Sequence, residues 1–121
     1  YYIKIQGQEI FSLGCVYDSW LDKNTGEIKE TFSILTTEAN PLMQKIHNVK
    51  KRMPLILKFE DEKDWIDPTL TTEGIKALIK PFNEDNLVAS PISMDANSPK
   101  INRNKPEILL PVEYPELALF D

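Results

Sequence analysis

Between Thr36 and Pro54 the sequence passes from strand-like alternation into Asn40-Pro41, then an apolar repeat at helical spacing, then Arg52-Met53-Pro54 leading into Leu55-Ile56-Leu57. Asn accepts a backbone N–H as a helix cap, and Pro at the first helical position gives up an N–H that has no partner there in any case. The order strand, capped short helix, proline-opened strand therefore forces strand and helix to alternate at short range. Leu42, Ile46 and Val49 recur at helical spacing and are expected to face the core. That places His47, the only histidine, one step round from the buried stripe near the last turn. Beside it stands the densest basic run, Lys50-Lys51-Arg52. A side chain that titrates near neutral pH next to an anion-attracting patch is a candidate site, although a lone histidine at a helix end is more often structural.

The patch stands out because the chain as a whole is acidic, with a formal charge of −5 over 121 residues. Eight of the 14 positive charges fall in two islands without an acid: Lys45, Lys50, Lys51, Arg52 and Lys58, then Lys100, Arg103 and Lys105. An acidic balance argues against non-specific coating of nucleic acid, while two local islands are enough to hold a few phosphates or to form solvated loops. The length suits a single folding unit. The absence of an initiator Met at Tyr1 leads to the expectation that residues stand upstream. One cysteine cannot form an internal disulfide and no apolar run approaches the roughly 20 residues that span a bilayer, so a reduced cytoplasmic setting is expected.

Along the chain, residues 1–5 and 10–17 flank Gln6-Gly7-Gln8 and are expected to form a hairpin. Cys15 lies in the second run between Gly14 and Val16, the apolar setting of an inert structural thiol. Lys23-Asn24-Thr25-Gly26 is a turn signal, and residues 31–36 return as a strand, giving a second hairpin. Residues 53–57 read as a buried strand. Glu60-Asp61-Glu62 are placed to cap and solubilise a helix through Trp65 that ends before Pro68; a catalytic carboxylate pair is the weaker reading. Residues 72–80 form a helix whose Ile75, Leu78, Ile79 and Phe82 make a core stripe. Residues 87–92 and 107–110 are expected strands, separated by a polar loop over 95–105, and residues 111–117 a proline-broken tail packed on the sheet. No Gly-rich phosphate loop and no metal-ligand spacing occurs, so no cofactor and no metal is expected.

Taken together, Ile34-Leu35-Thr36-Thr37-Glu38-Ala39-Asn40-Pro41, Ile46-His47-Asn48, Arg52-Met53-Pro54-Leu55-Ile56-Leu57 and Glu60-Asp61-Glu62 with Trp65 resemble the C-terminal half of the SOS-response-associated peptidase (SRAP) domain. The likeness extends to Tyr2-Ile3, to Ser90-Pro91-Ile92-Ser93 and to Pro106-Glu107. It implies an α+β fold with a mixed, barrel-like β-sheet and short helices, of which residues 1–121 are the C-terminal part. It also implies a cytoplasmic, nucleoid-associated DNA-repair enzyme that binds single-stranded DNA and crosslinks abasic sites. The family's nucleophile is an N-terminal cysteine exposed by self-cleavage. Carried over by position, His47 matches the active-site histidine, Thr36 the threonine preceding it in the pocket, and Arg52 an arginine near the DNA strand. Lys50 and Lys51 belong to an insertion that many members lack, and residues 94–104 depart from the usual Asn- and Arg-bearing pattern.

The cysteine, asparagine and glutamate of the family's site belong upstream of a segment like Tyr1, and Cys15 is not that cysteine. The implied reading is half of an active site, inactive alone with respect to crosslinking. Two alternatives stand beside it: a non-catalytic single-strand binding module that uses the basic islands, and a cysteine hydrolase pairing Cys15 with His47.

Overall fold

The computed structural model describes residues 1–46 and 49–115. In chain order the strands are β1 (Tyr2–Ile5), β2 (Cys15–Leu21), β3 (Ile28–Ile34), β4 (Thr36–Glu38), β5 (Arg52–Pro54) and β6 (Leu87–Ser90); the α-helices are α1 (Pro41–Ile46), α2 (Glu62–Trp65) and α3 (Thr72–Leu78). Two compact units contain them: Ile10–Asp85, and Tyr1–Glu9 with Asn86–Asp121. The mixture of short helices and strands is the α+β class expected. The sheets, however, are three separate two-stranded antiparallel ladders, β1-β6, β2-β3 and β4-β5, and no closed barrel forms among the described residues.

In the larger unit, the reason is a junction at which three strands change partner. Leu35 N–H donates to Gly14 O at 2.9 Å, Gly14 N–H to Leu55 O at 2.8 Å, and Leu55 N–H to Leu35 O at 2.9 Å, a closed ring of backbone hydrogen bonds. On one side of the ring β2 pairs with β3; on the second β4 pairs with β5; on the third Leu57 N–H reaches Ser12 O and Leu13 bridges Ile56. Leu55 at the ring is 0 % exposed and Met53 beside it 1 %, and with Ile56 and Leu57 they form the core that the apolar run predicts. Gly14 is required here by close approach: a Cβ would stand 2.6 Å from Leu55 Cδ2. Trp65 packs 3.4 Å from the same point and donates its indole N–H to Cys15 O at 3.2 Å, which fastens α2 to the junction.

The second hairpin forms as the turn signal indicates. Gly26 takes the left-handed φ of +74°, Gly26 N–H bonds Asp22 O, and Asp22 Oδ1 accepts Asn24 N–H. The first expected hairpin does not. A turn closes from Gln8 N–H to Ile5 O, yet β1 pairs with β6, Ile5 opposite Leu87. Both residues of that pair are buried, so burial with a distant strand outweighs the adjacent one. Residues 107–110 are also not a strand: Pro106–Leu109 is a 3-10 turn, because Pro at its start has a fixed φ and no N–H for a ladder. The segment after it does attach to the strand region, with Pro111 bridging Ile92 and Tyr114 Oη donating to Ile92 O at 2.9 Å.

Helix details depart from expectation in three further ways. In α1 the buried residue is Met43, Leu42 and Ile46 are half-buried, and Val49, expected in the core stripe, is 85 % exposed. In α3, capped by Thr71 Oγ1 on Gly74 N–H, Ile75 and Ile79 remain exposed and only Phe82 of the stripe reaches the core. The acids before α2 solubilise but do not cap: Asp61, at the cap position, makes no side-chain capping bond.

Candidate functional site

β4 and β5 run antiparallel with Thr36 opposite Pro54, Thr37 opposite Met53 and Glu38 opposite Arg52. Leu55 N–H to Leu35 O and Ala39 N–H to Lys51 O fix the bonded pairs, so Thr36–Pro54 and Glu38–Arg52 are the intervening pairs, where side chains come closer and backbone N–H groups point away. This explains Pro54: its missing N–H falls where β4 asks for none. Side chains alternate across the ladder. Met53 is buried and Thr37 half-buried on one face, while Thr36, Glu38, Arg52 and Pro54 share the exposed face. The ladder thus brings the two expected contact residues, Thr36 and Arg52, to one solvent-facing surface. It also places Glu38 there, directly across from Arg52, an acid that the sequence reading did not single out.

Asn40 fixes how the chain leaves this ladder. It is a buried polar residue with every group engaged. Its Oδ1 accepts Met43 N–H at 2.9 Å, its Nδ2 donates to Phe82 O at 2.8 Å, its carbonyl accepts Gln44 N–H at 2.9 Å, and its own N–H points at Met53 Sδ, 3.4 Å away. The remaining first-turn donor, Leu42 N–H, is bound by Glu84 Oε2 at 2.8 Å. Pro41 has no N–H, so the first turn of α1 is fully satisfied. Asn40 as cap was legible from the Asn-Pro pair. Glu84 and Phe82 lie too far along the chain for any local pattern to point to them.

Lys51 enters β5 with φ of 48°, the left-handed region that a side chain adopts at a cost of about 1–2 kcal/mol. Its carbonyl is held by Ala39, so the ladder imposes that conformation on the residue before Arg52. Among the described residues, Lys45, Lys50, Lys51 and Arg52 are in no ion pair, whereas Lys58, fifth of the island, stands 3.8 Å from Glu60. The expected catalytic residue, His47, follows α1 directly in sequence and lies outside the described residues. Cys15 is half-buried with its Sγ 3.5 Å from Leu13 O. Asp67 is held below the usual carboxylate range by the Thr69 hydroxyl and then its N–H, which close a local turn after α2 and build no site.

The family model for "SOS response associated peptidase (SRAP)" matches residues 1–99. The chain belongs to the SRAP family. It is 35% identical over 108 residues to the abasic site processing protein YoqW of Bacillus subtilis, covering 88% of this chain and 46% of that protein. It is 31% identical over 111 residues to the abasic site processing protein HMCES of Gallus gallus, covering 89% and 31%. A crystal structure of a Bacteroides thetaiotaomicron protein, 43% identical, superposes with a TM-score of 0.86 over 93% of this chain and 47% of its own. This SRAP chain therefore spans less than half the length of these relatives. No helix among the described residues is long and apolar enough to cross a membrane.

Proposed function

We propose that this chain is the C-terminal part of a single SRAP domain that processes abasic sites in DNA, contributing one wall of the reactive pocket and part of the strand-binding surface. The observation that carries the reading is the exposed β4–β5 face, which Thr36 and Arg52 share at diagonal positions of one ladder, next to cations that are in no ion pair among the described residues, in a chain whose relatives are named abasic site processing proteins. Arg52 and Thr36 contact the backbone of a single strand, and His47 serves as the proton-transferring group. The nucleophile that the family resemblance implies is an upstream N-terminal cysteine exposed by self-cleavage, a role distinct from that of Cys15, which is half-buried beside the junction.

The chemistry suits such a cysteine. Its α-amine, with a reference pKa of about 7.7–8.0, attacks the aldehyde carbon of the opened abasic sugar and water leaves to give an imine. The thiol sulfur then adds to the imine carbon and its proton passes to nitrogen, closing a thiazolidine that crosslinks protein and DNA. An imidazole with a reference pKa near 6.5 gives and takes the protons of both steps.

The test is to react the protein carrying its upstream half with a single-stranded oligonucleotide bearing an abasic site. A heat-stable adduct is expected, formed or reversed at an altered rate in His47→Ala; unchanged kinetics remove His47 from the mechanism. The exposed basic run also favours a binding-only module. Equal, salt-sensitive affinity for intact and abasic strands without covalent product selects that reading instead.

A further inference from the structure

We propose that one face of the β2–β3 hairpin is the seam on which the rest of an SRAP domain packs, namely polypeptide equivalent to the part of the longer relatives outside the matched region. The inference rests on family membership and does not use the DNA chemistry above. The register sorts the hairpin into two faces. One carries Tyr17 opposite Phe32, Leu21 opposite Ile28, and Ile34, all exposed, Tyr17 by 82% and Phe32 by 73%. The other mixes Asp18, Thr31 and Ser33 with exposed Val16 and Trp20, Lys29 standing 5.8 Å over the Trp20 ring. Five exposed large apolar side chains on the first face against two on the second, Val16 and Trp20, is the bias of a hairpin with one buried face. An exposed apolar face of this composition, broken only by the Ser19–Glu30 pair, marks an interaction site, and a two-stranded ribbon gains its stability from what covers it.

Two observations select the occupant. The Bacteroides thetaiotaomicron structure keeps this fold at a TM-score of 0.86 within a chain of which the match covers 47%, so more than half of that polypeptide is available to lie on the hairpin. The second is Glu30, in the middle of the apolar face opposite Ser19, whose hydroxyl donates to Oε1 at 2.8 Å. Covering this face buries a carboxylate with an oxygen still to satisfy, so the occupant must be apolar with an N–H or cationic donor set against Glu30. A second copy of the hairpin face brings another carboxylate instead of a donor.

The experiment co-expresses the tagged 121-residue chain with the unmatched portion of the Bacteroides thetaiotaomicron relative as a separate polypeptide, and measures co-purification and stoichiometry. A one-to-one complex is expected, weakened roughly tenfold or more by Tyr17→Ser with Phe32→Ser and by Glu30→Lys, and retained in Asp18→Ser and Thr31→Ala on the opposite face. Circular dichroism of the isolated variants checks that the chain still folds, which the exposure of Tyr17 and Phe32 favours. Equal recovery of all variants, absence of a complex, or a homodimer of the chain dissolved by Phe32→Ser each overturns the proposal.

Discussion

At the scale of single residues, two positions set the geometry around the β4–β5 ladder, and they differ in how they do it. Asn40 holds both the first turn of α1 and the Phe82 carbonyl through one buried amide. Asn40→Ala leaves a helix N–H and a carbonyl unpaired, and a loss of about 2 kcal/mol is expected from the denaturant midpoint at unchanged slope. Asn40→Asp keeps the capping oxygen but sets a carboxylate against the Phe82 carbonyl, so it must not restore stability; full restoration would show that the bond to Phe82 contributes nothing. Lys51 acts through strain. In Lys51→Gly the left-handed conformation costs little, and stability is expected to hold or rise by up to about 1 kcal/mol, whereas Lys51→Val is expected to lose about 1–2 kcal/mol. Equal midpoints for the Gly and Val variants would contradict the left-handed assignment.

Secondary elements were legible in this sequence where one side chain or one turn decides them. Asn40-Pro41 starts α1 and the segment containing Gly26 turns β2 into β3, because in each case the deciding atoms lie within a few residues. Partner choice beyond that hairpin was not legible, since β1 passes over the strand next in sequence to pair with β6, and the three-strand junction joins Gly14, Leu35 and Leu55 across long separations. The junction makes its own prediction. Gly14→Ala drives a Cβ into Leu55 and is expected to cost about 1–3 kcal/mol. Leu55→Ala costs about 2–5 kcal/mol alone, and because it removes the clashing atoms, the double variant is expected to be less destabilised than the two losses added. Additive losses would mean that Gly14 is needed for something other than room.

For the whole molecule, the candidate site was legible to the extent that its side chains obey the period-two pattern of one ladder: Thr36 and Arg52 do share an exposed face. Glu84 was not, because its contact with Leu42 is made across 42 positions and no spacing rule reaches that far. The core stripe expected on α3 failed for a different reason. Ile75 and Ile79 have the right period but stay exposed, as do Tyr17 and Phe32 on the hairpin, so periodicity reports that a face is apolar without reporting what covers it. The chain therefore combines one tightly closed region with elements held on one side only, and its stability should be uneven. Amide hydrogen exchange reads this directly. The amides of Gly14, Leu35 and Leu55 sit in a closed hydrogen-bond ring against a fully buried Leu55 and are expected to exchange only through global unfolding. The amides of β2 and β3 beyond Tyr17 and Phe32 lie in a ribbon exposed on both faces and are expected to exchange by local opening, at markedly lower free energy. Uniform protection across Leu55 and the outer hairpin would show that the ribbon is stabilised as strongly as the junction, and that its apolar face is already covered.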